Sequence, residues 1–268
     1  MTIPVSHSSS RPPIPTVTLM GLSVHSVTGE QAIAFILDEL QAGRGGWVIT
    51  PNLDHMRRRA HDPQFAGFFA QAQLVLADGM PLVWASRLQG TPLPQRVAGS
   101  SLIWTLSAAA AATKSRSIFL LGGDPGTAAS AGEILANRYP GLRIAGSACP
   151  PVGFERDPVQ MQALRDQLIA AAPDIIFVAL GSPKQERLIA MLRDCLPRTW
   201  WLGVGISFSF VCGQVQRAPV WMQKTGLEWL HRLIQEPRRL FKRYIIHDLP
   251  FAAILLAGAI LQRFHKTK

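Results

Sequence analysis

The sequence predicts an α/β fold: a Rossmann-like, mainly parallel sheet with helices on both faces, followed by a helical, basic C-terminal appendage. Three observations carry this. Short apolar runs alternate with amphipathic stretches along most of the chain, the βαβ pattern of a parallel sheet covered on both sides. At 268 residues, 48% of them hydrophobic, the chain can bury a full core. Its charge is also unevenly distributed. Residues 217–268 hold ten Lys and Arg against three Asp and Glu, so most of the formal charge of +10 lies in the last fifth and the body is nearly neutral.

In order along the chain, residues 1–15 are rich in Ser and Pro and lack the apolar stretch of a signal peptide, so they read as a flexible leader. Residues 16–216 read as the Rossmann-like domain. Its strand-like runs are 17–24, 47–50, 74–77, 117–121, 143–147, 175–180 and 200–204. Helical patterns fill the intervals at 28–40, 80–89, 100–113, 127–139, 158–171 and 184–196. The first opens with Thr28 and Gln31 at capping-box spacing. Cys149, Cys195 and Cys212 are odd in number, widely spaced and free of any CxxC, which argues against a disulfide framework or zinc site and fits a reducing cytoplasm.

The remaining segment, 217–268, is basic, aromatic and apolar at once. Phosphate of a nucleic acid or an anionic lipid leaflet could attract such a tail. The uncharged run 249–261 favours lipid, yet its 13 residues fall short of the ~20 that span a bilayer. It therefore reads as lying on or dipping into a membrane, with docking on the protein body or another subunit as the alternative. Nucleic-acid binding is disfavoured by the neutral body.

In open α/β sheets ligands bind beyond the carboxyl ends of the strands. Four such segments carry chemistry-competent groups: 50–54 (TPNLD), 77–79 (ADG), 122–126 (GGDPG) and 181–186 (GSPKQE). None is a GxGxxG or a P-loop, which leaves a dinucleotide dehydrogenase and a P-loop NTPase unsupported. A Gly-rich strand-to-helix turn either simply connects its elements or cradles phosphate with backbone N–H groups. Asp78 sits between an apolar run and a glycine, where a carboxylate can accept a proton from a substrate hydroxyl or merely bond its own turn. His55 and His61 do not share a helical face, and no Asp-x-Asp occurs to hold a divalent metal on a diphosphate, so no metal site or cofactor is expected.

Placed in order, these segments resemble the WecG/TagA/CpsF family of bacterial glycosyltransferases. The resemblance runs from about Val17 to Tyr244 and rests on Thr50-x-Asn52, Ala77-Asp78-Gly79-Met80-Pro81-Leu82, Arg96-Val97-Ala98-Gly99, Gly122-Gly123, Gly181-x-Pro183-Lys184-Gln185-Glu186, Gly203-Val204-Gly205 and Arg217-Ala218-Pro219. It continues through Gly226-Leu227-Glu228-Trp229, Arg232-Leu233, Glu236-Pro237-Arg238-Arg239 and Arg243-Tyr244. It implies an inverting, metal-independent transfer from a UDP-sugar to a polyprenyl-diphosphate-linked sugar at the inner face of the cytoplasmic membrane, in wall-polymer, capsule or exopolysaccharide synthesis. Hexose, N-acetylhexosamine and uronic acid donors are not separated, and a homo-oligomer is left open. By the same resemblance Asp78 is the general base, with Thr50, Asn52 and Arg96 beside it. Gly122, Gly123, Gly181, Pro183, Lys184, Gln185 and Glu186 face the donor, and Arg217, Arg232, Arg238, Arg239 and Arg243 serve the acceptor diphosphate and membrane.

Two positions depart from the family. Phe208-Ser209-Phe210 stands where Phe-Asp-Phe is common, and Arg187 replaces a residue that is often aromatic. Loss of the acidic side chain at 209 leaves a second reading open, a catalytically decayed UDP-sugar-binding or membrane-recruited regulatory protein.

Overall fold

The computed structural model of the chain describes residues 14–265. Most of the expected leader, and Lys266 and Lys268 of the tail, lie outside the described residues. The chain opens with a hairpin, β1 (Thr16–Leu19) paired antiparallel with β2 (Leu22–His25). The single strand expected at 17–24 is therefore two. Met20 and Gly21 turn the chain at φ 45° and 74°, and two consecutive positive φ values suit the twist of a two-residue hairpin. Methionine is not a usual turn residue, so the apolar run concealed the turn.

Next come α1 (Gly29–Gln41), β3 (Gly46–Ile49), α2 (Leu53–His61), α3 (Pro63–Gln71), β4 (Leu74–Val75), α4 (Met80–Leu88), α5 (Gly99–Ala112), β5 (Ser117–Gly122), α6 (Thr127–Arg138), β6 (Arg143–Ala148), α7 (Pro158–Ala171), β7 (Ile175–Ala179), α8 (Lys184–Leu192) and β8 (Trp200–Gly203). The capping box of α1 forms as expected, with Thr28 Oγ1 accepting the Gln31 N–H and Gln31 Oε1 accepting the Thr28 N–H. Helix α8 stops at Leu192 and passes into a short 3-10 turn, so it is shorter than the expected 184–196.

Strands β3 to β8 form one sheet, entirely parallel, in the order β4-β3-β8-β7-β5-β6. Every residue of β5 and β7 is buried, as a sheet covered on both faces requires. Alternate residues feed opposite cores. Phe119, Leu121, Ile176, Val178 and Trp201 join one cluster, while Ile118, Leu120, Phe177, Trp200 and Leu202 join the other. Because the strands are parallel, all their carboxyl ends open on one edge. The short edge strand β4 is tied to the hairpin, since His25 Nδ1 accepts the Val75 N–H at 3.0 Å. Burial lowers the His25 pKa below its ordinary value, which favours the neutral, accepting ring.

Beyond the sheet lie α9 (Ser207–Val211), α10 (Val220–Thr225), α11 (Glu228–Gln235), α12 (Pro237–Phe241), a π-helical segment Lys242–Asp248, and α13 (Leu249–His265). From Pro237 to Phe264 the helix is continuous over 28 residues, long and apolar enough by length and composition to cross a bilayer. It also docks on the body. Phe251, Leu255 and Ala259, spaced four apart, are buried beside α4 in one of the two cores. Burying the two large side chains contributes about 1.5–3 kcal/mol each. Leu249, Ile254, Ile260, Leu261 and Phe264 are exposed, so the same helix leaves other apolar side chains uncovered.

Candidate active site

A cavity of about 1190 Å³ opens at the carboxyl edge of the sheet. The segments after β3, β4, β5, β7 and β8 form its floor, the loop 150–156 after β6 one wall, and the tail from Gly226 to Leu256 another. Of the residues singled out from the sequence, Thr50, Asn52, Asp78, Arg96, Gly123, Gly181, Lys184, Gln185, Arg232, Arg239 and Arg243 line it, as does Arg187. Gly122, Pro183, Glu186, Arg217 and Arg238 do not. Residues remote in sequence therefore converge as the parallel topology requires.

Asp78 follows β4. Its main chain is pinned by a 2.8 Å bond from its N–H to Pro51 O, and the next chain segment is held by Val97 N–H on Ala77 O at 2.8 Å. The carboxylate accepts the Gly99 N–H at the start of α5, a helix whose first turn has no side-chain cap. Burial drives the Asp78 pKa up and the Glu228 carboxylate adds to this, while Arg96, His55 and the Gly99 N–H oppose it; the net effect is a raised pKa. Gly99 sits in a tight place. A Cβ there would lie 3.1 Å from Gly203 O and 3.3 Å from Thr50 Oγ1, so a side chain would push the α5 N-terminus away from β8 and Thr50.

Arg96 is not a free cation. It donates to Glu228 Oε2 at 2.7 Å, and Arg217 donates to Oε1 of the same carboxylate at 3.3 Å and to Ser101 Oγ at 3.0 Å. Arg217, expected at the acceptor or membrane, instead fastens the start of the tail to α5. Burial raises the Glu228 pKa, but Arg96 and Arg217 outweigh it and hold the carboxyl below its usual range.

Asn52, which also lines the cavity, caps α2. Its Oδ1 accepts the His55 N–H at 3.2 Å and lies 2.8 Å from His55 Nδ1. His55 Nε2 lies 3.4 Å from Glu186 Oε1, which also accepts Gln185 Nε2 at 2.9 Å. Gln185 Oε1 in turn accepts the Gly205 N–H at 3.1 Å. A Cβ at Gly203 would collide with the Gln185 amide, so glycine leaves room for this side chain. Glu186 is only 2% exposed. Burial raises its pKa, but His55 and Gln185 together bring it below the usual carboxylate range. In the sequence His55 stands out only as a metal ligand without a partner and by its place three residues after Asn52.

The tail meets α2 through a buried charge cluster. Asp54 bonds Arg57 at 2.7 Å and Arg58 at 3.1 Å, and Arg243 from the π-helical segment lies 3.5 Å from it. Asp248 lies 3.7 Å from both Arg57 and Arg243. Burial raises the Asp54 pKa, but the three arginines reverse this and bring it to about 2. Asp248 goes the other way, to about 6, because burial and the neighbouring Asp54 outweigh its cations. A carboxyl with a raised folded pKa favours the folded state below its unfolded pKa, and that contribution is lost as pH rises through about 6. Asp248→Asn is therefore expected to stabilise the protein at pH 8 by about 1–2 kcal/mol after allowance for solvent screening, and to make little difference at pH 4. Thermal unfolding of the two proteins at both pH values checks this.

Among the described residues no group of three or more His, Cys, Asp or Glu side chains is placed to hold a metal. Among the cations at the cavity are arginines and Lys184, and guanidinium groups bind phosphate oxygens in bidentate fashion.

Comparison with known proteins identifies the family. Residues 17–265 match the Glycosyl transferase WecG/TagA/CpsF family. The chain is 32% identical over 200 residues to an N-acetylglucosaminyldiphosphoundecaprenol N-acetyl-beta-D-mannosaminyltransferase of Bacillus spizizenii, covering 75% of each. It is 33% identical over 195 residues, 73% of each, to the protein of the same name from Bacillus subtilis. With a family match over residues 17–265 and relatives 32% and 33% identical, the chain belongs to the Glycosyl transferase WecG/TagA/CpsF family.

Proposed function

We propose that this glycosyltransferase moves a sugar from a UDP-sugar to a polyprenyl-diphosphate-linked saccharide by an inverting, metal-independent reaction, while peripheral on the inner face of the cytoplasmic membrane. The observation that carries the reading is the cavity itself, where Asp78 shares one space with Arg232, Arg239 and Arg243 of the tail. Asp78 takes the proton of the acceptor hydroxyl as that oxygen attacks the anomeric carbon on the face opposite UDP. UDP needs charge stabilisation more than a proton. Lys184, the tail arginines and the backbone N–H groups near Gly123 and Gly181 supply it without a metal ion. Thr50 and Asn52 hold the acceptor end, Gln185 and its neighbours the donor end.

Two features support a lipid-linked acceptor. By name, both curated relatives act on a sugar carried by diphosphoundecaprenol. In this chain the cavity wall is continuous with a helix whose outer face shows Ile254, Ile260 and Leu261. An anionic leaflet attracts the nearby Arg238, Arg239 and Lys242. Hexose, N-acetylhexosamine and uronic acid remain the donor classes.

The test is UDP release from a panel of UDP-sugars on liposomes that carry a short polyprenyl-diphosphate sugar. Release with one donor, dependent on the liposomal acceptor, is the expected result. Saturable UDP binding with no release from any donor overturns transfer and favours the decayed, binding-only reading that Ser209 raised.

A further inference from the structure

We propose that His55 is a positioning residue that donates from both ring nitrogens, through Nδ1 to Asn52 and through Nε2 to Glu186, and so fixes the two sides of the cavity relative to each other. Neither the family's motif positions nor the reaction scheme above gives this residue a task. Its ring is 9% exposed, packs against Phe65 at 5.9 Å between centroids, and borders the cavity.

The hydrogen bonds set the proton positions. Asn52 Oδ1 is identified as the oxygen because it accepts the main-chain N–H of His55 as the cap of α2. An accepting oxygen 2.8 Å from Nδ1 requires a hydrogen on Nδ1. Nε2 then faces Glu186 Oε1 at 3.4 Å, and a bare lone pair there would oppose a carboxylate. A hydrogen on Nε2 turns that repulsion into a charge-assisted bond. Glu186 needs such a partner, because its carboxylate is buried and a buried anion without a cation is costly. The other charged groups around the ring are the carboxylates of Asp78 and Asp248, both of which interact with its charge, and Asp54, Arg57, Arg58 and Arg243 of the neighbouring cluster.

The consequence is directional. With Oδ1 of Asn52 taken by two donors from His55, its Nδ2 is the end left to face the cavity, as a donor to a substrate oxygen. With Glu186 held by His55, the bond from Gln185 is fixed, and through it the Gly205 N–H after β8. One ring thus orients an acceptor-side amide and a donor-side amide.

Two substitutions separate the two bonds, because an Asn side chain places an amide nitrogen near Nδ1 and a Gln side chain places one near Nε2. His55→Gln keeps Glu186 and frees Asn52, and is expected to lower kcat about ten-fold with donor KM within about two-fold. His55→Asn keeps Asn52 and frees Glu186, and is expected to raise donor KM about five-fold with kcat within about two-fold. Losses of the same pattern in both variants, or in neither, overturn the proposal. This kinetic arm rests on the transferase reading, so a second measurement is independent of it. Nitrogen-15 NMR of the unaltered protein, labelled in histidine, should show both His55 nitrogens bearing hydrogen under the conditions of the transfer assay. One protonated and one bare nitrogen overturns the double-donor arrangement whether or not transfer is detected.

Discussion

Asp78→Asn is expected to lower kcat for transfer by about 10²–10⁴-fold while UDP binding stays within a few-fold of native. The amide has nearly the shape of the carboxylate and its oxygen can still accept the Gly99 N–H. What it lacks is the ability to take a proton. Stability should not fall, because burial disfavours the charged carboxylate and the substitution removes that charge. A thermal unfolding midpoint at or above native therefore separates lost chemistry from lost fold. The native pH profile carries a matching signature. Asp78 must be ionised to act and its pKa is raised, so activity should fall away, as pH is lowered, above the range of an ordinary carboxylate. Turnover by Asp78→Asn within ten-fold of native would remove this residue as the base.

The α/β architecture was legible because its strands are short, apolar runs, and in a sheet covered on both faces such runs have no alternation to lose. The strand ends were legible for the same reason, and with them Thr50, Asn52, Asp78, Gly123, Gly181 and Lys184 at one cavity. Failures came where local sequence and tertiary context part. Helices α2 and α3 went unrecognised although Asn52 and Asp62 cap them, since the second half of α2, RRRAH, carries no apolar stripe. Arg217 looked like one more cation of a basic tail, yet its bonds to Ser100 O and the Ser101 hydroxyl tie it to α5 of the body. Arg96 and Glu228 are 132 residues apart, a pairing no window on the sequence can reveal. The length of the tail helix also depends on tertiary context. The uncharged run is only 13 residues, but the helix continues through polar Lys242–Asp248, whose Arg243 and Asp248 turn toward α2.

That long-range pairing carries the second large effect. Glu228→Gln is expected to destabilise the protein by about 2–4 kcal/mol, because it strands two guanidinium groups that are mostly buried and share one counter-ion. Arg96 and Arg217 are 15% and 20% exposed, too little for water to replace the carboxylate fully. For a chain of this size the unfolding midpoint should drop by roughly 2–4 °C per kcal/mol. Two further readouts fix the cause. Glu228 has a depressed folded pKa, so its contribution is present above the unfolded carboxylate value and is lost as pH falls through the folded one. The gap between variant and native should therefore close in acid. Adding Arg217→Gln removes one stranded cation and should recover part of the loss, as coupled neighbours do. The same substitution reaches the chemistry, since Glu228 raises the Asp78 pKa and Arg96 lowers it. Without the carboxylate, the acidic limb of activity should move to lower pH. An unchanged midpoint together with an unchanged acidic limb would mean that the tail does not set the electrostatics of the cavity through Glu228.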